Sequence, residues 1–156
     1  MSAAIALVLI VAVPTAFAAT SEASSNPIQG TRNLIANGFA RQTINGENVT
    51  TPANFTLTLQ RTGTNTTVPR FNVTSGTIII NGTTYTVSSG NGGVAKSKHA
   101  ILLQAQATGP NGQTVTLKLA GRYFWMGGHL FVVRMAGSLQ TDSGKIGLLM
   151  RAAIRV

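Results

Sequence analysis

The stretch QTVTLKLAGRYFW, residues 113–125, alternates residue by residue: Val115, Leu117, Leu119, Gly121, Tyr123 and Trp125 share one parity, Thr116, Lys118, Ala120 and Arg122 the other. A period of two marks a strand with one dry and one wet face, because successive side chains of an extended chain point to opposite sides. The pattern recurs after residue 30, broken by turn residues, and no long stretch there keeps a helical period. Eight strands are predicted, over 32–44, 53–62, 70–80, 83–89, 98–108, 113–125, 129–141 and 145–155. Asn81-Gly82, between the third and fourth, is a strong hairpin signal, since a type I′ turn needs positive φ at both central positions. SSGNGGVAKSK, 88–98, is expected to be the longest and most flexible of the later connections.

The turns also suggest how the last four strands pair. A Pro110-Asn111-Gly112 loop sets Ala107 beside Val115, Leu103 beside Leu119 and His99 beside Tyr123. A Met126-Gly127-Gly128 loop sets Trp125 beside His129, Tyr123 beside Phe131 and Leu119 beside Met135. A Ser143-Gly144 turn sets Asp142 beside Lys145, Leu139 beside Leu148 and Val133 beside Ile154. All three keep the apolar residues on one face, whereas a slip of one residue would invert every side chain. Eight sequential antiparallel strands with short connections predict an all-β, up-and-down β-barrel over residues 31–156, with a β-sandwich as the alternative.

The wet face gathers Lys118, Arg122, Arg134, Arg151 and Arg155. In this register Lys118 and Arg151 share one cross-strand row, Arg122 and Arg155 another, and no acid lies among them. Lysine and arginine total 12 against 3 acids, a net charge of +9, yet only 10% of the residues are charged. That balance does not resemble the charge-dense surface of a domain specific for nucleic acid. A solubilising sheet face is one account of these cations. The other is an anion-binding patch, for which the planar fork of arginine suits carboxylate or phosphate oxygens. Such a patch points to an anionic polymer or surface, such as an acidic glycan. Turning the faces around, to make a membrane-spanning barrel, would bury the cations unpaired in a narrow interior, at prohibitive cost.

Catalytic chemistry has little to work with. The chain has two histidines, His99 and His129, three acids and no cysteine, which excludes disulfides, thiolate metal sites and a cysteine nucleophile. No nucleophile elbow, phosphate loop, zinc spacing or nucleotide fingerprint occurs. His99, His129 and Met126 offer too few ligands to predict a metal, and no cofactor is expected. His99, Tyr123, Trp125 and Phe131 are expected to ring one barrel mouth. A lipocalin-like carrier of a small apolar ligand is therefore the alternative to surface binding, unless side chains fill the interior. A small-barrel isomerase or cyclase rests on fold analogy alone.

The first residues, MSAAIALVLIVAVPTAFAATSEASS, contain an apolar run from Ala3 to Val13 and a small-x-small Ala16-Phe17-Ala18. This predicts a helical signal peptide over 1–18, cleaved after Ala18, although no basic residue precedes the run. A flexible leader follows over 19–30. Export agrees with the Asn-x-Thr sequons at Asn48, Asn54, Asn65, Asn72 and Asn81, candidate glycosylation sites all in the first half. The run GRYFWMGGHLFVVRMAGSLQTDSGKIGLLMRAAIRV, with the cysteine-free, sequon-bearing style, resembles uncharacterised secreted all-β proteins of ammonia-oxidising archaea, mainly over residues 71–156. The resemblance implies a secreted or cell-surface setting and brings no activity and no functional residues. The expectation is an exported, non-enzymatic β-barrel that works by binding.

Overall fold

The computed structural model describes residues 30–62 and 68–155, the last by its backbone alone. The expected signal segment 1–18, all but the end of the 19–30 leader, and the sequon at Asn65 lie outside the described residues. The strands are β1 (Thr31–Ile44), β2 (Glu47–Thr62), β3 (Arg70–Ile80), β4 (Thr83–Ala95), β5 (Ala100–Thr108), β6 (Thr114–Trp125), β7 (Leu130–Thr141) and β8 (Gly144–Arg155), with a short 3-10 turn at Lys96–Lys98. Each pairs antiparallel with its sequence neighbour, and β8 returns to β1 with Ile35 opposite Ala153 and Arg41 opposite Gly147. The result is a closed, eight-stranded up-and-down barrel, without the free edges of a sandwich.

The alternation of the sequence becomes an inside and an outside. Leu34, Phe55, Leu57, Leu59, Phe71, Ile101, Leu117, Met135 and Leu139 are fully buried and belong to one contiguous apolar cluster. Where a glycine stands on the inner face, a large neighbour takes the space. The Phe71 ring lies over Gly92, and Met135 Cγ would stand 2.8 Å from a Cβ at Gly121. Backbones also approach closely there: a Cβ at Gly137 would press on the Lys118 carbonyl and come within 2.8 Å of Leu119 Cα. Small residues on the concave side let strongly curved strands close.

Four expectations are corrected. The second strand starts at Glu47 rather than 53, because Asn45-Gly46 makes a two-residue turn with φ of 52° and 83° and Ile44 pairs Glu47. Residues 88–95 are not a flexible connection but the second half of β4, hydrogen-bonded to both β3 and β5. A bulge between Val87 and Ser89 resets the register, and Gly90 and Gly92 admit the neighbouring carbonyls of Gln104 and Leu102.

The other two corrections are registers. The β5–β6 hairpin has the predicted pairs, Ala107 with Val115 and Leu103 with Leu119. In β6–β7, however, Met126 N–H donates to the Leu130 carbonyl, so the loop is Gly127-Gly128-His129 and Trp125 faces Phe131 rather than His129. His129 accordingly takes a left-handed φ of 64°. In β7–β8 the turn is Asp142-Ser143 rather than Ser143-Gly144, with Thr141 paired to Gly144 and Leu139 to Ile146. Each shift is two residues, so every side chain keeps its face and only its neighbours change.

Candidate functional site: a groove across the outside of the barrel

The corrected register brings different side chains together. Arg122, Arg134 and Arg151 now stand directly opposite one another on β6, β7 and β8, in a single row. Lys118 lies in a parallel row, opposite Ser138, which faces Gly147, itself opposite Arg41 on β1. The predicted Lys118–Arg151 row and Arg122–Arg155 row do not form, and Arg155 stands opposite Leu130. Arg122, Arg134, Arg151, Lys118 and Arg41 are exposed, as outward parity requires. Among the described residues none of the three arginine side chains has a hydrogen-bond or ion-pair partner.

Between these basic rows runs an apolar one. Leu102, Ala120, Ala136, Leu149 and Phe39 occupy successive outward positions from β5 through to β1. Leu102 and Leu149 are each 63% exposed and Phe39 59%, so this stripe faces water rather than the core. The stripe continues the other way as a groove. Its volume is about 990 Å³, and it crosses β3 to β7 on the outside of the barrel. Leu102, Ala120 and Ala136 floor it, Asn72, Asn91, Gln104 and Ser138 line one side, and Lys118, Arg70 and Lys145 supply charge. Small floor residues keep it open, and the arginine row flanks it one row away. The amides Asn72, Asn91 and Gln104 are the groove residues that strand parity alone does not single out. They meet only because Asn72 pairs Asn91 and Asn91 pairs Gln104.

Chemically, such a surface is equipped to bind. It offers guanidinium and ammonium donors for carboxylate, sulfate or phosphate oxygens, amides for hydroxyls, and a flat apolar floor for C–H faces. Among the described residues no acid lies on it.

The predicted mouth residues are partly assembled. The His99 and Tyr123 rings sit with centroids 5.5 Å apart, and Tyr123 meets Phe131 edge-on at 5.9 Å. Tyr123 and Phe131 are buried, and burial raises the Tyr123 hydroxyl above its ordinary pKa. Trp125 has the same parity but is 71% exposed, a projecting rim residue rather than part of the lining. At the same barrel end two residues missed by the sequence analysis point inward: Arg32 at the start of β1 and Arg61 near the end of β2. Their parity with Leu34 and Leu59 was the available signal. Asn48, Asn54, Asn72 and Asn81 are exposed. Asn72 lies on the groove, and Asn81 holds the left-handed turn position at φ 48°. No cluster of three or more His, Asp or Glu side chains able to hold a metal occurs among the described residues.

No protein-family model matches this sequence. No curated protein matches it. Among solved structures the chain is similar to Ail, the attachment invasion locus protein of Yersinia pestis, at 13% identity and a TM-score of 0.34. The match covers 82% of this chain and 99% of that one. At that level the likeness carries no argument about what this barrel does.

Proposed function

We propose that this is an exported, non-enzymatic barrel that binds an extended anionic polymer, an acidic glycan, along the outer groove. One observation carries the reading: a groove of about 990 Å³ with an apolar floor and basic flanks, next to an acid-free row of three arginines on adjacent strands. Like charges placed directly opposite destabilise a sheet. A row of three is accounted for when an anionic partner relieves it. The amide, small-residue and cation mixture suits a uronate-type sugar, whose ring presents hydroxyls, C–H faces and a carboxylate together. Salt bridges alone would need only the cations.

The apolar run at the start of the sequence and the resemblance to secreted archaeal proteins support an extracellular or cell-surface setting. The outward positions of β2 to β4 are mostly Thr, Asn and Ser, with Gln60 and Ile79 among them. A lipid-facing barrel needs an apolar band there, so the barrel is read as standing in water. The large side chains over Gly92 and Gly121 speak against a deep interior ligand and hence against a lipocalin-like carrier. Glycosylation of Asn72 would place a sugar on the groove, so modification there and polymer binding exclude each other.

The test is retention on immobilised alginate against neutral dextran. Retention on alginate alone, falling steeply with salt, is expected. Arg122→Gln/Arg134→Gln/Arg151→Gln should reduce affinity by about a hundredfold, since charge-assisted contacts contribute roughly 1.5–3 kcal/mol each and partial losses overlap. Equal retention on both matrices, or an unchanged triple variant, would sink the proposal.

A further inference from the structure

We infer that one mouth of the barrel is a second site, separate from the outer groove, for a compact organic anion with a flat apolar body. Because the strands are sequential and antiparallel, one end gathers the starts of β1 and β7 and the ends of β2 and β6. Arg32, Arg61, Tyr123 and Phe131 all belong to that end and to the inner face. The two arginines are close neighbours on the inner face: Arg32 pairs Leu59, and Arg61 N–H donates 2.9 Å to the Gly30 carbonyl, one step beyond. Residues in that diagonal relation lie within reach of each other.

Both arginines are placed at a cost. Their Nε atoms are buried and have no hydrogen-bond partner. A buried donor without an acceptor is unfavourable, and two neighbouring cations with no acid beside them among the described residues compound it. Nearly all the other inward positions are apolar or small, so alternation alone would place a leucine or valine at these two. Two arginine forks sharing one inner face match an anionic head group, which would accept from the Nε donors and separate the like charges. The same end holds an aromatic cluster, Phe131 edge-on to Tyr123 with His99 tilted against the same ring. A flat ring fits there better than a long alkyl chain, because Phe71 stands directly opposite Arg61, over Gly92, and Met135 packs over Gly121. Trp125, the chain's only tryptophan, stands on this rim and is 71% exposed, so it reports on anything bound beneath it.

The experiment titrates the protein with 1-anilinonaphthalene-8-sulfonate and, in parallel, with N-phenyl-1-naphthylamine, which has the same rings without the sulfonate. The sulfonate should bind one per chain and quench Trp125 by energy transfer, and the neutral compound should bind at least tenfold more weakly. Arg32→Met/Arg61→Met should lose at least tenfold in sulfonate affinity while its Tm stays level or rises, since the unpartnered donors are gone. If that variant does not fold, Arg32→Lys/Arg61→Lys keeps the charge but lacks the Nε donors, and at least a threefold loss is expected. The outer Arg122→Gln/Arg134→Gln/Arg151→Gln variant should bind the sulfonate as the parent does, which separates this site from the groove. Equal affinity for the two compounds, an unchanged folded Arg32/Arg61 variant, or loss of binding in the outer variant would each overturn the inference.

Discussion

Arg134 sits between Arg122 and Arg151, with no acid among the described residues to offset any of them. In a sheet built for stability alone that position would favour a β-branched polar residue. Replacing it with threonine removes two like-charge contacts at once, so Arg134→Thr is predicted to raise Tm while weakening alginate retention about tenfold. Thermal unfolding and affinity measured on the same preparation check both halves; a variant that is less stable and binds normally would contradict the account. Tyr123 gives a pH signature. Burial raises its pKa above the ordinary 10.0, so the folded chain holds that proton more tightly than the unfolded one. This contribution is intact below the ordinary value and is lost as pH rises through the raised one. Urea unfolding at pH 9 and pH 11 should therefore show a smaller alkaline loss for Tyr123→Phe than for the parent.

Among the elements, the β6–β7 and β7–β8 hairpins show what the sequence could and could not specify. Parity assigns each side chain to the core or to water, and Lys118, Arg122 and Arg134 stand outside, Tyr123 and Phe131 inside, as alternation requires. Registers that differ by two residues are equivalent under that test. The sequence pattern thus finds the arginines but not their row, which depends on whether Met126 or Gly127 opens the loop. The answer lies in a backbone hydrogen bond between Met126 and Leu130. Asn45-Gly46 was legible, since it repeats the Asn81-Gly82 turn, and it shows why β2 reaches past Pro52. Arg32 and Arg61 carried the right parity, but near a strand end parity does not say whether a side chain is enclosed. The groove could not be foreseen, because its amides come from three strands. Gly137 tests the curvature: a Cβ there meets backbone rather than a yielding side chain. Gly137→Ala is predicted to cost about 3 kcal/mol, at the upper end for overpacking, measured by urea unfolding.

At the scale of the whole molecule the charge is polarised. Arg32, Arg61, Arg70, Lys96 and Lys98 lie toward the end where β2 and β4 finish. Glu47 and Asp142, the acids among the described residues, stand at the other end, in or beside the β1–β2 and β7–β8 turns. With a net charge of +9 this arrangement orients the barrel in the field of a polyanion, basic end and arginine row first. Steering of this kind depends on salt but not on shape, so it cannot by itself distinguish a groove that holds a polymer from a surface that is merely positive. Ala120→Trp makes that distinction. It keeps every cation, adds bulk at an exposed position, and fills the floor between Leu102 and Ala136. Calorimetric titration of this variant with an oligouronate at moderate salt is the most direct measurement. The account predicts at least a tenfold loss of affinity with Tm unchanged, and parent-like affinity in Ala120→Trp would contradict it.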